Sequence, residues 1–175
     1  MTGRIGVVPD AQDTARREAI REVLAVHSRG LDRNEPDLLK AAYWPQARVD
    51  YGAFKGPAYQ FAELIGPALA EAYELTQHLL GQTFIALDGD QARAETYVYA
   101  RHLLRGAEEE LAFAGRYLDT LEQREQQWKI LHRQVVMDWS LRVAVQDERN
   151  GDAYAALSKG RCDRSDPAHA LFPVN

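Results

Sequence analysis

The stretch HLLGQTFIALDGDQARAETYVYARHLLR, residues 78–105, decides the fold class. Residues 78–87 and 91–105 read as strands, and Asp88-Gly89-Asp90 between them is a tight hairpin signal. In the second strand Ala92, Ala94, Thr96, Val98, Ala100, His102 and Leu104 share one face, while Arg93, Glu95, Tyr97, Tyr99, Arg101 and Arg105 line the other. A small, mostly apolar face opposite a charged and aromatic one marks an antiparallel sheet solvated on one side. Small inward residues, Val98 among them, leave room for a cavity.

Downstream, the alternation continues in strands over 111–122 and 128–139. Phe113, Tyr117, Asp119 and Leu121 share a face of the first, and Leu131, Arg133, Val135, Met137 and Trp139 a face of the second. Arg133 is the lone charge on its apolar side, and a bulge would invert any assignment beyond it. Upstream, Asp13 is a plausible cap for a helix to about Leu31, with Ile20, Val23, Leu24, His27 and Leu31 on its buried stripe. Asn34, with Pro36 just behind it, opens a short helix through about Ala42, and a strand over 48–54 follows. A third helix then carries the stripe Phe61, Leu64, Ile65, Ala68, Leu69 and Tyr73. Helix, helix, strand, helix and a four-strand meander predict an α+β domain in which a bent sheet wraps the helices. The domain is expected over residues 1–140. An extension, 141–175, carries a short helix at 152–159 and a tail that closes over a pocket or reaches a neighbouring subunit.

Bulk properties narrow the function classes. With 175 residues, 46% hydrophobic and 27% charged, the chain suits one soluble domain. A net charge of −5 without a basic cluster argues against nucleic acid as a partner. No run approaches a membrane span, and the opening residues 1–9 lack the apolar stretch of a signal peptide. The single Cys162 fits a reducing compartment, so a cytoplasmic location is expected.

Several short motifs occur in a telling order: His27-Ser28-Arg29-Gly30-Leu31-Asp32-Arg33, Lys55-Gly56-Pro57, Thr76-Gln77-His78, Leu87-Asp88-Gly89-Asp90, Gly115-Arg116-Tyr117-Leu118-Asp119 and Trp128-Lys129-Ile130-Leu131-His132-Arg133. Together they resemble the SnoaL-like group of the nuclear transport factor 2-like superfamily. The resemblance implies a cone-shaped α+β barrel with a strongly bent, mostly antiparallel sheet. Dehydrochlorinase and dehydratase members of that group eliminate HX or water from small hydrophobic ring substrates without a cofactor or metal. Their helix-end aspartate corresponds to Asp32, their base histidine to His78 and their last-strand arginine, where present, to Arg133. Some dehydratases carry a catalytic tyrosine five residues before the aspartate, and here that position is His27.

Elimination or isomerisation needs a base beside a C–H bond and a group that stabilises developing negative charge. A neutral His78, its tautomer fixed by Asp32, could take the proton. Arg133 could stabilise an enolate-like oxygen or a leaving group. The plainer readings make Asp32 a solvated helix-end carboxylate and Arg133 a partner of Asp119 or Asp32. His27 and His102 read as hydrogen-bonded wall residues. Tyr43, Trp44, Tyr51 and Tyr117, with Val98 and Met137, read as pocket lining or as ordinary core. His78, His102 and Asp32 formally offer a metal set but lack close ligand spacing, and Cys162 lacks a base partner.

Two functions compete: a cofactor-independent lyase or isomerase acting through a His–Asp dyad, and a non-catalytic ligand-binding or assembly subunit such as the small subunit of a ring-hydroxylating dioxygenase. A homo-oligomer, dimer or trimer, is expected in either case from the aromatic outer face bearing Tyr97 and Tyr99.

Overall fold

A computed structural model describes residues 6–106 and 108–172; residues 1–5, within the opening stretch, Ala107 and residues 173–175 of the tail lie outside the described residues. Helix α1 spans Ala11–Asp32, α2 Pro36–Ala41 and α3 Ala58–Ala72. Strands β1 Tyr43–Asp50, β2 Lys55–Pro57, β3 Tyr73–Asp88, β4 Gln91–Leu104, β5 Glu109–Arg124 and β6 Gln127–Ala144 form one sheet in the order β2-β1-β6-β5-β4-β3. Only β1 and β6 run parallel; every other pair is antiparallel. The α+β class and the mostly antiparallel sheet are as expected from the sequence.

The cap of α1 is Asp10 rather than Asp13: the Asp10 carboxylate accepts the Asp13 N–H at 2.7 Å, which satisfies one of the helix's orphan donors. On α3 the buried face is Ala58, Phe61, Ala62 and Gly66, while Leu64 is half exposed, so the apolar stripe is rotated from the expected one. The helix runs into β3 at Tyr73 without a loop, and β1 begins at Tyr43, five residues before the predicted strand. Ile20, Leu24, Leu39, Tyr43, Phe61, Leu121 and Ile130 form the centre of the main core.

Strand β4 keeps its predicted inner face, with Ala92, Ala94, Thr96, Val98, Ala100 and His102 buried. Strand β6 departs from strict alternation twice. Leu121 pairs with Ile130 and Thr120 with His132, so Leu131 is a bulge residue. Gly115 pairs with Met137 and Ala114 with Trp139, which puts Met137 and Trp139 on opposite faces. β6 also continues past residue 140 to Ala144, and a 3-10 turn, Asp152–Tyr154, stands where the 152–159 helix was expected. A last short helix, α4, spans Ala168–Leu171.

Gly115 is required where β5 meets the second bulge. A Cβ there would collide with the Val136 carbonyl oxygen and the Phe113 ring. Gly115→Ala is expected to cost about 1–3 kcal/mol, the usual cost of overpacking. It should appear as a lower midpoint in urea unfolding, and an unchanged midpoint would mean that the strands separate freely there. No helix of the described residues is long and apolar enough to cross a membrane.

Candidate active site

Asp32 is the last residue of α1, and its carboxylate is gripped from β3. Strand periodicity places Thr76 and His78, two residues apart, on the same face of β3. The Thr76 hydroxyl donates to Asp32 Oδ1 at 3.1 Å, and the His78 backbone N–H donates to Oδ2 at 2.9 Å. The ring closes the arrangement, with His78 Nδ1 2.7 Å from Asp32 Oδ1. The acid and the imidazole are nearly buried, with side-chain exposures of 12% and 8%.

A carboxylate already accepting two hydrogen bonds favours the proton on Nδ1, which leaves the Nε2 lone pair free to act as a base. Among the described residues Nε2 has no hydrogen-bond partner. The pair opens on a cavity of about 410 Å³ lined by Ala25, Ser28 and Arg29 of α1, Arg33 just beyond it, Leu80 of β3 and Ala168 of α4. The volume lies within the range of small-molecule sites.

The structure thus brings Asp32 and His78 together with the His102 ring beside His78, and it places the other predicted residues outside the cavity lining. Arg133 is fully buried and does not line this cavity. Its Nε and Nη2 donate to the Asp119 carboxylate at 2.7 and 2.8 Å, and its plane lies 4.1 Å from the Tyr117 ring centroid. Its Nη1 lies 2.8 Å from His27 Nδ1. Arginine has only donors, so His27 Nδ1 accepts and Nε2 carries the proton, donating to Tyr43 Oη at 2.8 Å. Tyr51 Oη lies 3.4 Å from the same nitrogen, and the Tyr51 ring stacks on Phe61. Arg133, Asp119, His27, Tyr43, Tyr51 and Tyr117 therefore form an internal polar network apart from the cavity lining.

Trp44 donates its indole N–H to the Glu122 carbonyl and lies under Arg124 and Lys129, at the β5–β6 hairpin end. Met137 is 62% exposed, on the half of β6 that has only β5 beside it. Val98 packs with Ala100 and Tyr117 in a second small cluster against Leu80. His102 sits edge-on to His78 at 5.5 Å and over Tyr73 at 4.7 Å, with its Nδ1 buried and unpartnered. Among the described residues no group of three or more His, Cys, Asp or Glu is placed to hold a metal.

Ser28, Arg29 and Arg33 belong to the lining although the sequence pattern assigns them no site role. The spacing of Ala25, Ser28, Arg29 and Asp32 along one helix face was the available signal. Nothing local in the sequence marked Ala168.

Burial, then the Arg133 charge, then that of His78 hold the His27 imidazole well below its usual range. Burial, followed by the His78 charge, lowers His102 to about 4. Both rings are neutral in the fold and bind protons more readily once unfolded. Their stabilising contribution is complete above about pH 6.5, the unfolded value, and is lost as pH falls below it. Each contributes a slope of about 1.4 kcal/mol per pH unit in that window, the His102 part ending near pH 4. His102→Gln should therefore lose stability less steeply between pH 6.5 and 5 in urea unfolding. A slope equal to that of the wild type would mean that His102 is already charged in the fold.

The SnoaL-like domain model matches residues 12–134. An uncharacterized protein of Mycobacterium tuberculosis is 24% identical over 121 residues, 67% of this chain and 82% of its own. A candidate scytalone dehydratase from Novosphingobium aromaticivorans superposes with a TM-score of 0.66 at 22% identity, covering 77% of this chain and 91% of that one. A hexachlorocyclohexane dehydrochlorinase, LinA-type3, from Novosphingobium barchaimii superposes with a TM-score of 0.70 at 18% identity, covering 78% and 95%. At these identities the likeness to the solved structures establishes the fold.

Proposed function

Since the chain belongs to the SnoaL-like domain family, we propose that it is a cofactor-independent lyase or isomerase acting on a small, hydrophobic cyclic molecule. The observation that carries the reading is the Asp32–His78 bond at 2.7 Å beside a 410 Å³ cavity, with Nε2 unpartnered among the described residues. In the proposed step Nε2 takes a proton from a substrate carbon, and Asp32 stabilises the imidazolium that forms. The electron pair left on carbon either expels a leaving group or shifts the double bond and returns to a proton at another carbon. Burial of the dyad strengthens the Asp32–imidazolium attraction relative to water.

The apolar part of the substrate would rest on Ala25, Leu80 and Ala168. Arg133 stands outside the acid–base step in this reading, because its donors are taken by Asp119 and His27. Charge on a leaving group would instead be met by Arg29 or Arg33, the two guanidinium groups in the cavity lining. The fold neighbours named as a dehydrochlorinase and a candidate dehydratase support an elimination over other acid–base chemistry. A homo-oligomer belongs to the same reading, since Tyr97, Tyr99 and Trp139 stand exposed around one shallow hollow of the outer sheet face.

The test is turnover of a panel of halogenated, hydroxylated and unsaturated ring compounds by the purified protein and by its His78→Ala and Asp32→Asn variants. Equal turnover in all three would end the proposal.

A further inference from the structure

The chain beyond β6 folds back onto α1 at the mouth of the cavity that holds Asp32 and His78. Two contacts fix it there, and one carboxylate both makes the first and braces the segment internally. Asp166 is 5% exposed, and its carboxylate accepts the Arg161 and Ala168 N–H groups at 2.8 and 2.9 Å. The same carboxylate lies 3.5 Å from Arg33 Nε, one residue beyond the dyad's aspartate. Farther along, the Phe172 ring lies 4.9 Å from the guanidinium of Arg29, itself a lining residue. Between these two anchors stands Ala168, which lines the cavity together with Leu80. The segment's path is continuous: Gly160 borders the neighbouring hollow with Thr76 and Arg101, and Cys162 a narrow cleft with Asn34 and Gly66.

We propose that residues 160–172 form a strap that walls the dyad cavity, with Ala168 setting the size of the molecule admitted and Asp166–Arg33 holding the strap shut. Of the two fates open to the extension from sequence alone, lid or contact with a neighbour, this assigns the lid. The physical basis is the kind of contact made. A 3.5 Å ion pair whose arginine is partly exposed and one cation–π contact to a half-exposed ring are each worth about 1 kcal/mol. They hold the strap closed most of the time and still let it open on the timescale of local unfolding. Elements with few buried apolar contacts supply such gates, and the described strap has none in the main core cluster. A methyl group at position 168 leaves space, and a larger side chain there would fill it.

This assignment builds on the reading of Asp32–His78 as the reactive pair, yet its test requires no turnover. Diethylpyrocarbonate is a small electrophile that modifies neutral imidazole nitrogen, and the exposed His132 supplies an internal reference. The full-length protein is labelled near neutral pH, and modification of His78 relative to His132 is read by peptide mass spectrometry. Asp166→Asn, which removes the carboxylate shared by Arg33, Arg161 and Ala168, is expected to raise His78 labelling about five-fold. Ala168→Trp is expected to lower it about five-fold by filling the opening. Phe172→Ala, on a half-exposed ring, gives a second opening variant should Asp166→Asn fail to fold, as judged by circular dichroism. Opposite shifts in the opening and filling variants support the strap. Labelling within two-fold of the wild type in folded variants of both kinds, or shifts in one direction, overturns it. Loss of the lyase reading in the turnover experiment would leave this result standing, because accessibility and chemistry are read separately.

Discussion

Replacing His78 with alanine is expected to lower turnover about 10²–10⁴-fold, the contribution of a positioned general base. The loss should fall on kcat with little change in KM, because Nε2 meets the substrate proton only in the transition state. Asp32→Asn should reproduce much of the effect for a different reason. An amide can still accept a hydrogen bond through its oxygen. It cannot stabilise an imidazolium, however, and its NH₂ group favours the wrong tautomer of His78. The geometry also forecasts non-additivity. Thr76, the His78 backbone and the His78 ring all meet one carboxylate, so the double variant should be little worse than His78→Ala alone. Steady-state kinetics on the three variants checks this. Independent, multiplicative losses would mean that the two side chains do not act as one unit.

Asp119→Ala is expected to destabilise the fold by about 3–5 kcal/mol, the largest stability effect at any single position considered. It leaves the fully buried Arg133 guanidinium without its counter-charge. His27 cannot substitute, since it offers one neutral acceptor. The wider network would follow, because the His27 tautomer and its bond to Tyr43 depend on the donor from Arg133. Urea unfolding at neutral pH measures the loss. Replacing both members of the pair with apolar residues, Asp119→Leu with Arg133→Met, should recover most of it. If the single variant were as stable as the wild type, water would have to reach Arg133, contrary to its complete burial.

The contrast between these two sites explains how much of the candidate centre was legible in the sequence. His78 and Asp32 were reached from motifs at the end of a helix and the start of a hairpin, and they do meet. Arg133 was selected as the one charge on an apolar strand face, which identifies a residue in need of a partner. The strand pattern could not say whether that partner would be a substrate or Asp119, and a register pairing of Asp119 with Arg133 decided it. Met137 and Trp139 were assigned one face by strict alternation, and the bulge at Asp138 separated them. Trp44 had no pattern to place it and fell at the hairpin rim, away from the cavity.

Local rules carried the fold: period-two alternation in β4, the Asp88-Gly89-Asp90 turn, and helix stripes whose apolar residues must leave water. Such signals depend on residues a few positions apart, so the chain alone determines the α+β class, the meander and the end of the helix that bears Asp32, whereas the strand that bears His78 starts at Tyr73, five residues before its expected start. The tertiary structure decided everything that depends on distance across the chain: the bond between those two side chains, the diversion of Arg133 into the core, and the placement of Ala168 beside them. Hydrogen bonds and ion pairs act over a few ångströms in space, and a sequence records only separation along its length.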